Sequence, residues 1–191
     1  MSAVNMMPTP FPAAGHPSTP LTRADLDLMP DDGRRYELID GNLLVSPAPV
    51  PQHQRAVGGL HVLLYAACPQ ELEVFVAPLD VALGPDTVLQ PDLLVARHAD
   101  VGEKDLPVAP LLAVEVLSPS TRRFDLMLKW SRYQDAGCAA YWVVDPDTPS
   151  LIAWELRDGA YVQVAKVTGD ETAYLTSPFE VSVVPANLFC R

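Results

Sequence analysis

The chain has 191 residues, with 13 lysines and arginines against 24 aspartates and glutamates, and therefore a formal net charge of −11. Hydrophobic residues make up 49% of the chain and charged residues 19%, which excludes a globally disordered protein and permits a sizeable buried core. The acidic balance also excludes a protein whose whole surface holds nucleic acid through a basic field. It leaves room for a local site for a phosphate, a metal or DNA.

The cysteines and the N-terminus bear on the cellular compartment. Cys68, Cys138 and Cys190 are scattered and have no metal-ligand spacing, so they predict reduced thiols rather than a disulfide framework. The N-terminus has neither the basic segment nor the apolar segment of a signal peptide. We therefore expect a cytoplasmic protein with no membrane association.

The chain begins with a Pro-rich segment. Residues 1–20 contain five prolines and no hydrophobic period, which is typical of a flexible leader. A single domain over 21–191 is expected to follow. It opens with a short helix over 22–29 that has its own N-cap threonine, followed by a β-hairpin over 36–47 that turns at Asp40-Gly41.

Apolar residues spaced i, i+3 and i+7 predict an amphipathic helix over 52–67. Gly58-Gly59 inside it lowers helix propensity but allows close packing. His53 and His61 are eight residues apart and can share one face of this helix, but they lack the third ligand of a metal site. Three predicted strands follow, over Glu73–Ala77, Leu79–Leu83 and Val88–Ala96.

The run Leu111–Leu117 is continuously apolar except for Glu115, which predicts a strand buried on both faces. A helix then starts at Pro119-Ser120-Thr121 and ends near Gly137, a favourable C-terminal cap. It leads into a second buried strand over Ala140–Asp145, at the spacing of a parallel strand–helix–strand crossover. Short antiparallel strands complete the chain. The predicted fold class is α/β, of mixed α+β character, with a central mixed β-sheet flanked by helices.

Acids stand where this pattern requires apolar residues. Glu115 lies in the buried strand, and Asp92 lies in the run Gln90–Val95, which is predicted to belong to the preceding strand. A buried carboxylate costs several kcal/mol unless it is paired or bound to a cation. Two carboxylates on neighbouring central strands make the oxygen-lined site that Mg²⁺ or Mn²⁺ prefers. Glu37, in the first hairpin, is a third acid that can join them.

Lys129 is the predicted positive partner of these acids. It stands four residues after Asp125, so the two side chains share one face of the helix that follows the Glu115 strand. Arg122, Arg123 and Arg132 surround it in sequence. The few basic residues are thus concentrated near the acids that interrupt apolar runs, which predicts a local patch that binds an anion.

These features also have purely structural interpretations. Asp92 alone could be a strand-end acid exposed to water, and an arginine in a salt bridge could hold Glu115. The Asp125–Lys129 pair could be an ordinary helix-surface ion pair that contributes a few tenths of a kcal/mol.

Several motifs now carry a family resemblance. The sequence resembles the Uma-two family of proposed restriction endonucleases, in order and over nearly the whole chain from Thr22. The resemblance implies a restriction-endonuclease-like core of the PD-(D/E)xK superfamily. Where that superfamily has a lysine two residues after the acid, this chain has Leu117, and Lys129 on the next helix is the implied replacement. The matching segments are Tyr36-Glu-Leu-Ile-Asp-Gly41, Gln90-Pro-Asp-Leu-Leu-Val95, Val114-Glu-Val-Leu-Ser-Pro-Ser-Thr121, Asp125 with Lys129, and Tyr141-Trp-Val-Val-Asp-Pro146.

The resemblance implies metal-assisted hydrolysis of phosphodiester bonds in DNA. Asp92 and Glu115 would bind one or two Mg²⁺ (or Mn²⁺) ions, with the carbonyl of Val116 as a further ligand. Glu37 would add a carboxylate or orient water, and Lys129 would position the attacking water or stabilise the transition state. A homodimer is also implied, because a symmetric pair of sites can cut both strands.

Two other functions stay open at this point. One is a non-catalytic binding or scaffold member of the same fold, whose thermal stability would not depend on Mg²⁺. The other is a metal-dependent hydrolase of a small phosphate ester, which suits the acidic composition better than a polyanion does. A fold by itself does not decide between them.

Overall fold

The computed structural model describes residues 19–119 and 121–189. Apart from its last two positions, the predicted leader at 1–20 lies outside the described residues, as do Ser120 and Cys190. Cys68 and Cys138 are free thiols. Within the described ranges, no helix is both long enough and apolar enough to cross a membrane.

Within residues 19–119 and 121–189, the elements are short strands, three α-helices, two 3₁₀ helices and one π-helical segment. In chain order they are α1 (Arg23–Leu26), β1 (Arg35–Ile39), β2 (Asn42–Ser46), α2 (Pro51–Ala67), β3 (Leu72–Val76), β4 (Val81–Gly84), β5 (Thr87–Leu89), β6 (Leu93–Arg97), a 3₁₀ helix (His98–Asp100), β7 (Leu112–Val116), the π-helical segment (Phe124–Lys129), α3 (Trp130–Asp135), β8 (Ala140–Asp145), β9 (Ser150–Arg157), β10 (Ala160–Thr168), β11 (Ala173–Leu175), β12 (Val181–Val183) and a C-terminal 3₁₀ helix (Pro185–Phe189).

A six-stranded mixed sheet forms the centre, in the order β10-β9-β8-β7-β6-β3. β7 and β8 run parallel, as the crossover spacing predicts, and the other neighbours in this sheet are antiparallel. A second sheet has the order β2-β1-β5-β4, and β11 pairs with β12. The predicted fold class, a mixed α/β protein with a central mixed sheet and flanking helices, is confirmed.

Both faces of the central sheet are covered, which is why β7 and β8 are buried along their whole length. On one face, α2 contributes Leu60 and Leu64 to a core shared with Val114 and Trp142. On the other face, Tyr133 of α3 packs in a core that also contains residues of the second sheet. The site described below lies at one end of this sheet, where groups from both faces meet.

Two local features follow directly from glycine. The β1–β2 hairpin joins Ile39 to Asn42 through Asp40 and Gly41, whose φ angles are 51° and 73°, as the Asp-Gly signal predicts. In α2, a Cβ built on Gly59 would lie 2.5 Å from the carbonyl oxygen of Leu188, so this helix packs closely only because residue 59 is glycine.

The structure corrects one predicted strand. Val88–Ala96 was expected to be continuous, but it forms β5 and β6, which belong to different sheets. Pro91 explains the break, because proline has no N–H for a ladder hydrogen bond and restricts the residue before it. Asp92 therefore stands directly before β6 and not inside a strand. The antiparallel register pairs Leu93 with Val114, so Asp92 still lies beside the end of β7.

Candidate active site

Asp92 is the centre of a first group of contacts, which we call the Asp92 cluster: Arg35, His53, Asp92 and the N–H of Val116. Arg35 Nη2 donates to Asp92 Oδ1 at 2.7 Å. His53 Nε2 lies 3.1 Å from Oδ2, and the Val116 N–H donates to the same oxygen at 2.8 Å. The residues come from β1, α2, the β5–β6 turn and β7, so only the tertiary fold assembles them.

These contacts keep the Asp92 carboxylate ionised although its side chain is buried. Burial opposes ionisation, but the hydrogen bond from His53 and the charge of Arg35 outweigh it and lower the pKa of Asp92 to about 2. The pKa of Arg35 is raised above its usual value, because the charges of Asp92, Glu115 and Glu37 outweigh its own burial. Arg35 Nη1 also donates to the carbonyl of Gln90 at 3.1 Å, which fixes the backbone just before Asp92.

Lys129 is the centre of a second group, the Lys129 cluster: Glu37, Glu115, Asp125 and Lys129. Its Nζ lies 2.8 Å from Glu37 Oε1, 3.1 Å from Glu115 Oε1 and 3.5 Å from Asp125 Oδ1. All four side chains are almost completely buried. The cluster is thus one ammonium enclosed by three carboxylates.

An excess of acid governs the protonation of the Lys129 cluster. Burial raises the pKa of Glu115 well above its usual value, and the charges of Asp125, Asp92 and Glu37 add to this effect against the attraction of Lys129. Burial likewise raises the pKa of Asp125. The three carboxylates raise the pKa of Lys129 despite its burial, so Lys129 stays charged while the acids favour binding a further positive charge.

The π-helical segment brings Asp125 and Lys129 into this cluster. Such i→i+5 turns are rare and occur often at functional sites. Both residues are 1% exposed, so the interpretation of their pair as a surface ion pair is wrong. Tyr141 of β8 donates to the backbone carbonyl of Asp125 at 2.8 Å and so anchors the segment to the central sheet.

Glu37 connects the two clusters. Its Oε1 accepts from Lys129 and also from the N–H of Gln90 at 2.8 Å, the residue two before Asp92. Its Oε2 is buried and has no hydrogen-bond partner among the described residues. Glu37 therefore holds both the lysine and the turn that carries Asp92.

A cavity of about 250 Å³ opens onto these clusters. Asp92, Lys129, Arg35, His53 and Val116 contribute to its wall. The carboxyl-bearing residues Glu37, Glu115 and Asp125 are not among the described residues that line it, so they stand behind Lys129 as seen from the cavity. Four buried carboxyl groups (Asp92 and the three acids around Lys129) thus stand against two cations, Arg35 and Lys129.

The four predicted site residues do come together, in two adjoining groups. Glu37, Glu115 and Lys129 are in direct contact, and Asp92 reaches them through the backbone of Val116 and of Gln90. Asp92 is not a water-exposed acid, since its exposed fraction is 2%. Glu115 is held by a lysine and not by an arginine.

Sequence reasoning missed two members of the site, Arg35 and His53. His53 gave a usable signal, because it lies on the same α2 stripe as the buried Ala56, Leu60 and Leu64, where a buried imidazole needs a partner. Arg35 gave none, because its contact with Asp92 depends on where the hairpin meets the β5–β6 turn.

The predicted basic patch does not form as expected. Arg122 Nη2 binds Asp145 at 2.7 Å, and Arg132 binds both Asp40 and Asp135 at 2.9 and 2.7 Å. Lys129 is buried in its cluster. Most of the positive charge of this helix is therefore already neutralised by the protein's own acids.

No three side chains of His, Cys, Asp or Glu within residues 19–119 and 121–189 are grouped as ligands of one metal ion. The histidine pair considered above accordingly has no third side-chain ligand there. A metal at this site would therefore need main-chain or water oxygens besides the carboxylates.

Comparison with known proteins identifies the family. The family model Uma2, described as "Putative restriction endonuclease", matches residues 23–186. The chain belongs to the Uma2 family. The family resemblance of the sequence motifs is thereby confirmed, and with it a nuclease-like classification.

A solved structure supports the same fold for this Uma2 protein. The crystal structure of a putative nuclease belonging to DUF820 from Anabaena variabilis superposes with a TM-score of 0.71, covering 89% of this chain and 98% of that chain at 20% sequence identity. At this identity the likeness establishes the fold only. No curated protein matches the chain.

Proposed function

We propose that this Uma2 protein is a divalent-metal-dependent endonuclease that hydrolyses phosphodiester bonds of DNA. One observation carries the proposal: Asp92, whose carboxylate is ionised, and Lys129, which carries an ammonium group, both contribute to the wall of one cavity, and further buried acids surround Lys129. An ionised carboxylate can hold a metal, and an ammonium group can stabilise developing negative charge, as metal-assisted phosphodiester hydrolysis uses them. Membership of a family described as restriction endonucleases supports the same chemistry.

The residues fit a divalent cation. Their donors are hard oxygens, which Mg²⁺ and Mn²⁺ prefer, and the four carboxyl groups outnumber the two cations, Arg35 and Lys129. Asp92, Glu115 and the carbonyl of Val116 would hold it, with Glu115 shared between the ion and Lys129. When bound, the cation would activate a water molecule and offset the negative charge that develops on the phosphate.

The chain's own groups then have distinct tasks. Lys129 would donate a hydrogen bond to the attacking water or to a phosphate oxygen, since the residue contributes to the cavity wall and its ammonium stays protonated. Arg35 and His53 orient the Asp92 carboxylate from two sides. Glu37 holds Lys129 in place and fixes the backbone turn before Asp92.

Cleavage assays with site variants test the proposal. Single- and double-stranded DNA are incubated with Mg²⁺ or Mn²⁺ and the wild type, Asp92→Asn, Glu115→Gln or Lys129→Met, with Asp170→Asn at an exposed turn as the control. We expect each site variant to lose at least about 100-fold in rate, and the control to keep the wild-type rate. Equal cleavage by all variants would refute the assignment.

One observation favours a second candidate, a non-catalytic binding or scaffold member of the family. Both oxygens of Asp92 already accept hydrogen bonds from protein groups, and Lys129 is enclosed by three acids. A Mg²⁺ titration of thermal stability separates the two functions. A metal site stabilises the fold by about 2.7 kcal/mol at 100 times the dissociation constant, whereas a scaffold shows no shift. Stabilisation without DNA cleavage would favour a hydrolase of small phosphate esters.

We also propose that the active form is a homodimer, because two symmetric sites can cut two strands of a duplex. The molar mass in solution, measured by light scattering with and without DNA, tests this directly. A monomer under both conditions, at concentrations where a duplex is cut, would rule it out.

A further inference from the structure

The cavity beside Asp92 has a chemical character that phosphate chemistry does not explain. Charged residues, Arg35, Asp92 and Lys129, contribute to its wall. A hydrated phosphate gains nothing from contact with an apolar surface. Yet a larger part of the lining is apolar and consists of Pro47, Ala48, Val50, Leu117, Pro119 and Pro146.

Two buried polar atoms of residues in the same wall lack partners. Ser46 Oγ and His53 Nδ1 are shielded from solvent and have no hydrogen-bond partner among the described residues, and both side chains are more than nine-tenths buried. A buried polar group without a partner is destabilising and calls for an explanation. A ligand that brings hydrogen-bonding groups into the cavity supplies one.

The contact with Asp92 defines what that ligand must offer. The ionised Asp92 carboxylate accepts hydrogen bonds only, so the 3.1 Å contact uses an N–H at His53 Nε2 and leaves the other ring nitrogen, Nδ1, for a ligand. The ligand therefore needs a hydrogen-bonding group at its edge that can meet Nδ1. The hydroxyl of Ser46 can donate or accept.

We propose that this cavity binds a single unstacked nucleobase of the nucleic-acid substrate, packed against its proline-rich lining and hydrogen-bonded at its edge to Ser46 and His53. The inference rests on the proposed nuclease function and narrows its substrate. A nucleobase combines a flat apolar body with N–H donors at its edge, and its attached phosphate would lie toward Arg35 and Lys129. A base that stays paired and stacked inside a duplex cannot enter a cavity of this kind. The preferred substrate is therefore single-stranded DNA or a flipped nucleotide.

Binding of single nucleotides without metal tests this site separately from catalysis. Calorimetric titration of the intact protein in EDTA compares three probes: 2′-deoxyadenosine 5′-monophosphate, the same nucleotide with unsubstituted purine as its base, and 2-deoxyribose 5-phosphate. We expect binding to weaken about fivefold when the amino group is lost. It should weaken by about tenfold or more again when the base is absent, because the apolar burial is lost.

Variants of the wall supply the controls. Ala48→Trp should fill the mouth of the cavity and abolish nucleotide binding, whereas Ala160→Trp, at another exposed alanine, should leave it unchanged. Ser46→Ala should weaken binding about fivefold without destabilising the free protein, since it removes a hydroxyl that has no partner.

The outcomes separate this proposal from the nuclease proposal. Equal binding of deoxyribose phosphate and the nucleotide, or unchanged binding by Ala48→Trp, would overturn the base site even if DNA is cleaved. Base-dependent binding that Ala48→Trp abolishes would support the site even if no cleavage is found.

Discussion

The Asp92 cluster and the Lys129 cluster are built from the same kinds of side chain but in opposite proportions. In the first, an arginine, a histidine and a backbone N–H converge on one carboxylate, and its pKa falls to about 2. In the second, three carboxylates converge on one lysine, and the pKa of Glu115 rises. The first cluster lines a cavity with Asp92, whereas the acids of the second lie behind Lys129.

This contrast shows that one site can contain both an ionised oxygen ligand and a group of acids that lacks enough positive charge to balance it. The Asp92 carboxylate is ionised before any cation arrives, so no proton has to be displaced from it. The acids around Lys129 retain affinity for positive charge, because burial and mutual repulsion disfavour their ionised forms. The surplus carboxyl groups around Lys129 thus lie next to Asp92, the ionised carboxylate that can bind a cation.

The largest expected effect comes from removing the ammonium group of the Lys129 cluster. Lys129→Met leaves three buried carboxylates without their partner and should destabilise the fold by about 3–5 kcal/mol, measured by urea unfolding. Lys104→Met, at an exposed lysine, should change stability by no more than about 0.5 kcal/mol.

A second substitution shows whether charge is the cause. Adding Glu115→Gln to Lys129→Met should recover part of the loss, because one of the unpaired carboxylates is gone. A loss under about 1 kcal/mol in the single variant, or no recovery in the double variant, would contradict the network.

Lowering the pH should change the stability contributed by Asp92 and by Glu115 in opposite directions. The pKa of Asp92 is below its unfolded value of about 3.9, so the stability it contributes above pH 4, about 2–3 kcal/mol, is lost as pH falls through the window from 4 to 2. The stability gap between wild type and Asp92→Asn should therefore narrow by about 1 kcal/mol by pH 3.

For Glu115 the sign is reversed. Its pKa is raised in the fold, so its contribution is complete below the unfolded value of about 4.3 and is lost as pH rises. Glu115→Gln should therefore gain stability relative to wild type as pH rises from 4 to 7. Urea unfolding of wild type, Asp92→Asn and Glu115→Gln between pH 3 and 7 measures both trends. If the two differences in stability from wild type changed in the same direction with pH, the contrast between the clusters would be contradicted.

A substitution that displaces helix α2 should disturb the Asp92 cluster, because α2 carries His53, and should leave the contacts of the Lys129 cluster intact. Gly59→Ala places a methyl group 2.5 Å from the Leu188 carbonyl and should cost about 1–3 kcal/mol by overpacking. DNA cleavage should fall as His53 is displaced. Gly58→Ala is the matched control, since its Cβ meets nothing within 4 Å, and it should stabilise the helix by up to about 1 kcal/mol.

The smallest expected effect concerns the ion pairs on the exposed side of α3. Arg132→Ala removes contacts with Asp40 and Asp135, whose side chains are about half exposed, and should cost less than about 1 kcal/mol. The cost should shrink further in high salt, as urea unfolding at two ionic strengths would show. A larger loss of stability that does not depend on salt would mean that these exposed ion pairs contribute as much to stability as buried ones.

Local chemistry made much of the fold predictable from the sequence. The Asp-Gly turn, the Gly137 cap and the buried strands on either side of the crossover helix follow from neighbours in the chain, and the structure confirms them. The strand predicted across Pro91 was wrong because its hydrophobic pattern runs through a residue that cannot extend a ladder. The π-helical turn at Asp125 and Lys129 had no sequence signal, since it depends on the acids and on Tyr141 that hold it.

The sequence by itself determined which acids were exceptional, because Glu37, Asp92 and Glu115 interrupt apolar runs and a buried charge needs a partner. It also determined the family through motifs spread along the chain. Only the tertiary structure decided the partners: Arg35 and His53 for Asp92, and Lys129 for the other acids. Partner choice depends on contacts between residues up to 92 positions apart (Glu37 and Lys129), and hydrophobic periodicity carries no information about such distances.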